Sequence, residues 1–539
     1  MFPFQSRIQR LLALTLLAGV ASPSLSGAQD ANKPRKAVPP VARILVSPAT
    51  THFTEPLNDD GLVNLAAALN RHYGNGIVLE NNAAVVLYEV LGPAPEGVQL
   101  SEEFFQQLGM AVPSDNDNFF LGFGQWIKQS AVDQVPEDQL NAAFDDQESS
   151  RKGPWKCDDL PQVFQWLTAN REPLERLAKG VQRPDYFSPL NPPADANNQP
   201  GSLIASLLPG VQVSRELARA LTSRAMLNLG EGRTDEAWQD LLTTHRLGRQ
   251  IGRGPTLIEQ LVGIAIEAIA IEGEQTWLAV AKPDARTIAR IRKQLDALPA
   301  ISKMADSIDT TERTLFIDCV VRLARNQLNM NELGVPDDAL PDALRQVVAV
   351  SVDWNGVLRS GNSSYDEMVA ALRIASRSDR KAALDAFDDK LKEQREKATA
   401  PGTLALSIVP GLTSAIVTDA MTATMTSLLL PAVRAASTAE DQQHQRFASL
   451  QVTLTLFDYR AKTGEFPETL DAVVPIFADD VPNDLFSGKP LKYRRTADGF
   501  ELYSVGKNET DDGGRTFGEE NPGDDLVVRI SLAKPTSAN

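Results

Sequence analysis

The sequence predicts a mainly α-helical protein, built of helical hairpins, that ends in a small α+β domain: a long helix plus a three-stranded antiparallel sheet. Apolar residues recur at helical spacing from residue 57 to about 345. One segment, Thr256 to Val280, is apolar on almost every side and belongs at the centre of a domain. After Pro482, alternating apolar and polar residues mark strands.

At the N-terminus, Arg7 and Arg10 precede the apolar run Leu11–Ala21, and Ser26-Gly27-Ala28 supplies small residues. This is signal-peptide patterning, with cleavage expected after Ala28. Residues 29–56 hold Pro34, Pro39, Pro40, Pro48 and Pro56 and read as an extended, Pro-rich linker. Leu62, Leu65, Ala66 and Leu69 then follow helical spacing, and a second helix covers Asn81–Leu91, stopped by Gly92-Pro93. Short helices and polar turns alternate over 92–160, and one helix is expected over Gln162–Leu177. The stretch Pro184–Pro200 reads as a long loop or a domain seam.

The strongest helical block spans 203–345. Leu217, Leu221, Met226, Leu227 and Leu229 precede Gly230-Glu231-Gly232-Arg233, after which Ala237, Trp238, Leu241 and Leu242 resume the pattern. That is a helix, a tight polar turn and a returning helix. Pro255 is placed at the first position of the apolar helix, which Glu259, Glu267 and Glu272 interrupt. Those charges argue against a membrane span. Helical patterning continues over 285–298 and 309–328. Ser363 or Ser364, with Asp366 or Glu367, would cap a polar helix running towards Lys397. Residues 401–434, with Pro401, Pro410 and Pro431, read as packed short helices or a partner-binding segment.

The last hundred residues are the most explicit. Ser437 with Glu440 suggests a capping box. Phe447, Leu450, Leu454, Phe457 and Ala461 form a stripe that ends at Gly464. Pro467–Val474 reads as a short helix closed by Pro475. Strands are expected at Leu491–Arg495, Phe500–Val505 and Leu526–Ile530, with Asp498-Gly499 as a type I′ turn. The resulting division is 1–28 signal peptide, 29–56 linker, 57–200 N-terminal helical region with irregular loops, 201–434 helical domain and 435–539 C-terminal head.

Charge and motifs narrow the function. Fifty-three basic and 70 acidic residues give a net charge of −17, which repels phosphate backbones and argues against nucleic acid as a partner. Four histidines, without zinc spacing, argue against a zinc site. There is no nucleophile elbow, P-loop or dinucleotide fingerprint. Cys157 and Cys319 permit a disulfide in an oxidising compartment, and spacing alone leaves that pairing open. The one catalytic possibility is a carboxylate hydrolase in the helical body. Its groups would be Glu267, Glu312, Arg313, Asp318 and His245. The same residues, completed by Arg246, Arg249 and Arg322, read rather as a buried or interfacial ion-pair network.

Three resemblances add to this reading. Gly232-Arg233-Thr234-Asp235-Glu236-Ala237 resembles the middle of one tetratricopeptide hairpin, without a repeat near 34 residues. Glu80-Asn81-Asn82-Ala83-Ala84-Val85 and Thr244-His245-Arg246-Leu247-Gly248-Arg249 are similar to segments of exported bacterial proteins with this layout. The C-terminal residues Tyr459, Gly464, Phe466-Pro467, Leu470, Val481-Pro482, Asp484 and Phe486-Ser487-Gly488-Lys489-Pro490 carry the third. With Leu491, Tyr493, Asp498-Gly499-Phe500, Leu502-Tyr503-Ser504-Val505-Gly506 and Asp524-Asp525, they resemble the globular head of major type II secretion pseudopilins. Those proteins carry an apolar assembly helix at the extreme N-terminus, directly before the head, and this chain does not.

The resemblance implies a calcium ion in the loop between the last two strands. Asn508 and Asp525 take the family's positions, and Asp511, Asp512 and Asp524 add nearby carboxylates. The expected protein is an exported, periplasmic or extracellular binding or scaffold protein, non-catalytic, with a calcium-stiffened head and unknown protein partners. A hydrolase, or a component of a secretion or pilus-like assembly, is the alternative. No membrane span is expected in the mature chain.

Overall fold

The computed structural model describes residues 43–114, 117–130, 136–193, 201–206, 208, 210–325, 327, 352–399, 413–476 and 481–532. The expected signal peptide (1–28), residues 29–42 of the expected linker and residues 401–412 lie outside this set. The protein is mainly helical, with one three-stranded antiparallel sheet near the C-terminus. Among the described residues, no helix is long and apolar enough to cross a membrane.

The chain packs into two compact units that interleave along the sequence. Of the described residues, one unit holds those within 1–75, 190–207 and 305–435, and the other those within 76–189, 208–304 and 436–539. Chain crosses between them near Pro189, inside the Pro-rich stretch read as a seam. The C-terminal residues thus share a unit, and a core, with helices far earlier in the sequence.

The larger unit is organised by three helices: α1 (Val211–Gly230), α2 (Thr234–Ile251) and α3 (Leu257–Ala281). α1 and α2 form the expected hairpin, with Gly232 at φ 79° in its turn. Trp238 and Trp277 meet at 5.4 Å between ring centroids, and both are buried. Gly248 of α2 lies against Gly263 of α3. A Cβ on Gly248 would stand 2.9 Å from the Gly263 carbonyl and 2.8 Å from Glu267 Cγ, so the two helices approach more closely than any larger residue permits.

α3 begins one residue later than its sequence suggests. Thr256 is the N-cap and forms a capping box with Glu259, so Pro255 lies before the cap rather than at the first helical position. The helix expected over Gln162–Leu177 is two, Pro161–Ala169 and Arg171–Gly180. Between them Asn170 turns its side chain to bond Leu121, accepting from its N–H at 2.8 Å.

In the other unit, α4 (Arg313–Ala324) packs on α5 (Trp354–Leu372), and α5 on α6 (Arg377–Thr399). Its core includes Phe316, Ile317, Val357, Tyr365 and Met368. Ser363 and Ser364 lie inside α5 and open no helix. Ser364 Oγ bonds back to Ser360 O at 3.1 Å, and the polar stretch breaks at Arg373–Ser376 instead. From Arg43 onward the expected linker is docked. Asn355 accepts from Leu45 N–H at 2.8 Å, and the Asn362 amide donates to Ala49 and Thr50 carbonyls.

The longest helix, α7 (Thr413–Thr463), runs unbroken through 51 residues, Pro431 included. The expected short helices and the Ser437–Glu440 capping box are therefore corrected, since Ser437 sits mid-helix and caps nothing. Gly464, at φ 93°, ends α7 as expected. A 3₁₀ segment, Leu470–Ile476, follows and passes through Pro475 rather than stopping before it.

The sheet is β1 (Lys492–Arg495), β2 (Gly499–Ser504) and β3 (Leu526–Ser531), in the order β1-β2-β3. Arg495 pairs with Phe500 and Thr496 N donates to the Gly499 carbonyl at 3.0 Å, so the turn is centred on Ala497-Asp498 rather than on Asp498-Gly499. Neither Asp498 nor Gly499 has positive φ, and the type I′ turn is not formed. Gly499 serves another purpose: a Cβ there would overlap the Ile530 carbonyl of β3. Phe457, Phe466 and Phe500 stack edge to face beneath the sheet, while β3 packs against α3.

Candidate metal centre and a buried ion network

Asp484 fastens the segment before β1 to the end of β2. It is buried and accepts from Ser504 Oγ (2.6 Å), Ser487 Oγ (2.7 Å), Phe486 N (3.1 Å) and Val505 N (3.2 Å). The chain then leaves β2 through Gly506, whose φ is 70°. A Cβ there would stand 2.1 Å from the Asp524 carbonyl, so only glycine lets the two arms of the loop touch. This contact brings residues 508–512 beside 524–525.

Asp512, Asp524 and Asp525 converge there, each offering an oxygen within 4.8 Å of the others. Backbone donors hold them. Asp524 N donates to Asp512 Oδ2 (3.0 Å), Asn508 N to Asp524 Oδ2 (3.1 Å) and Gly514 N to Asp525 Oδ2 (2.7 Å). Asp524 Oδ1 is buried and accepts from nothing among the described residues. Burial raises the Asp524 and Asp525 pKa values, and the neighbouring Asp512 charge raises them further. Asp512 is lowered, chiefly by the Asp524 N–H and the Asn508 amide.

The other two expected ligands lie beside this set. Asp511 faces Lys492 (3.1 Å), Tyr503 OH (3.1 Å) and Gly513 N (3.0 Å) and lies outside the converging set. Asn508 donates to Asp512 Oδ2 (3.0 Å), and its Oδ1 accepts from Thr510 N (2.7 Å). It therefore braces the set. Close carboxylate oxygens, one lacking a donor, suit a hard oxygen-seeking cation, so the residues fit calcium.

A second cluster lies in the helical core of the same unit. His245 of α2 stands 3.4 Å from Glu267 and 3.1 Å from Glu274, both on α3, and all three are buried. Arg249 Nε donates to Glu267 at 2.5 Å and its Nη1 to the Pro299 carbonyl at 2.7 Å, while Gln443 of α7 donates to the other Glu267 oxygen. Burial works against charge on His245, yet the Glu274 charge and the Glu267 hydrogen bond push its pKa up to about 9. Burial would raise Glu267, but His245 and Arg249 hold it below the usual carboxylate range. Two carboxylates, Glu267 and Glu274, thus stand against one imidazole and one guanidinium.

The hydrolase groups do not assemble as expected. His245 and Glu267 meet, but Glu267 is lowered rather than raised, the reverse of what a proton-donating carboxyl needs. Glu312, Arg313 and Asp318 belong to the other unit. There Asp318 pairs with Arg322 (2.9 Å) and accepts from Ser202 and Leu203, while Arg313 pairs with Asp309 (2.6 Å) and Asp366 (2.7 Å). Of the arginines expected in the network, Arg249 pairs with Glu267 and Arg322 with Asp318, in separate clusters, while Arg246 forms no ion pair among the described residues. Cys157 and Cys319 are both free thiols.

Glu274 was not singled out in the sequence. Its signal was spacing: it follows Glu267 by seven residues on an apolar helix, which puts both carboxylates on one face. Glu272, which was singled out, is exposed. No protein-family model, curated protein or solved structure matches this chain.

Proposed function

We propose that this is an exported, non-catalytic binding or scaffold protein whose C-terminal head is stiffened by calcium. The convergence of Asp512, Asp524 and Asp525 carries the reading, because Asp524 keeps a buried oxygen with no donor. Calcium bound there would join the two arms of the loop between β2 and β3. Its remaining ligands would be carbonyls and water. The order of long helix, 3₁₀ segment and three antiparallel strands supports the likeness to a pseudopilin head. The paired, solvent-excluded state of the His245 cluster supports a structural rather than catalytic helical body.

The test is thermal unfolding of the full chain with calcium and with chelator. Calcium at 100 times its dissociation constant adds about 2.7 kcal/mol of stability. An unchanged midpoint removes the calcium reading.

A further inference from the structure

We propose that Asn75-Gly76 is a site of spontaneous modification, at which the chain converts its own asparagine to aspartyl and isoaspartyl links. The reaction is intramolecular. The Gly76 peptide nitrogen attacks Cγ of the Asn75 side chain and a C–N bond forms. The side-chain nitrogen leaves as ammonia, taking the Gly76 amide proton. Water then opens the cyclic imide, its hydroxyl going to one carbonyl and its proton to the ring nitrogen. Opening at the side-chain carbonyl gives an aspartyl residue with a normal backbone. Opening at the backbone carbonyl gives an isoaspartyl link, with the chain running through the side-chain methylene. Water is consumed, ammonia is released, and nothing is oxidised or reduced.

Asn-Gly occurs twice in the sequence, at Asn75-Gly76 and at Asn355-Gly356. Glycine has no Cβ to shield the attacking nitrogen. Chemistry of this kind makes asparagine a thermolabile residue. Both dipeptides are competent, so the fold decides between them.

Asn75 is exposed and follows the helix Leu65–Gly74 as its C-cap. Its ψ is 120° and Gly76 has φ 78°. Neither the Asn75 side-chain amide nor the Gly76 N–H makes a hydrogen bond among the described residues. A Cβ built on Gly76 would meet nothing within 4 Å, so the turn is open there. Ring closure needs rotation about the Asn75 Cα–C bond, and no hydrogen bond of the reacting groups has to break for it.

Asn355 is held. It lies in the first turn of α5, where its Oδ1 accepts from Leu45 N at 2.8 Å and its Nδ2 donates to the Arg43 carbonyl at 3.0 Å. Val357 N donates to the Asp353 carbonyl at 2.9 Å and closes the helical turn around the dipeptide. A Cβ on Gly356 would stand 2.7 Å from Asp353 Oδ2, so the backbone is crowded as well. Closure at Asn355 has to break the side-chain bonds and open that turn first.

The chain passes from one compact unit to the other at the Asn75–Gly76 peptide bond. An isoaspartyl link there lengthens the backbone of that crossing by a methylene, and either product adds a carboxylate to an already acidic chain.

The full chain is incubated in mildly alkaline buffer with and without denaturing urea. Peptide mass spectrometry follows amide-to-acid conversion at each asparagine, and electron-transfer fragmentation separates isoaspartyl from aspartyl. Without urea, Asn75 should convert at least about tenfold faster than Asn355, a barrier difference of about 1.4 kcal/mol. In urea the two rates should converge, because the bonds that hold Asn355 are gone. Gly76→Asn keeps a residue that tolerates positive φ but places a Cβ beside the attacking nitrogen. Conversion at Asn75 should then fall at least about tenfold, with circular dichroism checking the fold. Equal rates without urea, faster conversion at Asn355, no conversion at Asn75 without urea, or an unchanged rate in folded Gly76→Asn overturns the proposal.

Discussion

The core around His245 and the loop around Asp524 both gather charged groups in one compact unit, and they settle the charge differently. In the core, Glu267 and Glu274 stand against His245 and Arg249, so groups of opposite charge face one another, although His245 Nε2 and both Glu274 oxygens also lack hydrogen-bond partners. In the loop, three aspartates meet one another and backbone N–H groups, leaving one buried oxygen without a donor. A cluster that neutralises itself asks for no ligand. One that does not keeps like charges together, which a bound ion of opposite sign would offset. Internal neutralisation, more than the presence of charged residues, therefore separates framework from candidate site.

The largest effect is expected from breaking the paired cluster. Glu267→Leu leaves His245 and Arg249 buried without their shared anion and should cost about 3–5 kcal/mol in urea unfolding. A loss under about 1 kcal/mol would show that the cluster is not cooperative.

The next effect is a pH dependence. His245 has a folded pKa of about 9 against an ordinary 6.5. Its stabilisation is fully present below pH 6.5 and is lost as pH rises through 9, on the order of 3 kcal/mol in all. Glu259, raised to about 7 by burial, acts earlier, between about 4.5 and 7. Urea midpoints at pH 7 and 9.5 isolate His245, and equal midpoints would refute its charged state.

In the loop, Asp524→Asn should remove the calcium-dependent gain of about 2.7 kcal/mol at 100-fold excess over the dissociation constant. Melting with and without calcium measures it, and an undiminished gain would move the ion elsewhere. A comparable but calcium-independent loss, about 1–3 kcal/mol, is expected from Gly248→Ala, because the new Cβ meets the Gly263 carbonyl and Glu267 Cγ. The smallest effect belongs to Asp511→Asn. That carboxylate is spent on Lys492, Tyr503 and Gly513, so calcium binding should survive and stability should change by less than about 1 kcal/mol.

Much of the fold was legible wherever a local rule met no competitor. Gly92 and Gly464 end helices as expected, and Gly232 turns the α1–α2 hairpin. The three strands lie within a residue or so of their alternating patterns. Reading failed where packing overrode the rule. Pro431 and Ser437 look like punctuation, yet α7 continues through both. Ser364 looks like a cap but bonds back along α5. Asp498-Gly499 looks like a two-residue turn, but Gly499 is needed inside β2, where the Ile530 carbonyl comes close. Within the candidate site, the aspartates were visible as residues, while Asp511's diversion to Lys492 was not.

The sequence by itself determined the helical character, the position of the sheet, the acidic loop and the glycines that let chain segments approach, because each is written in spacing over a few residues. Tertiary structure decided which distant segments share a core and which carboxylates face a cation. It also gave Arg224 its carboxylate partner, Asp240. Such choices depend on groups that meet across tens to hundreds of residues, and a local pattern carries no record of its partner.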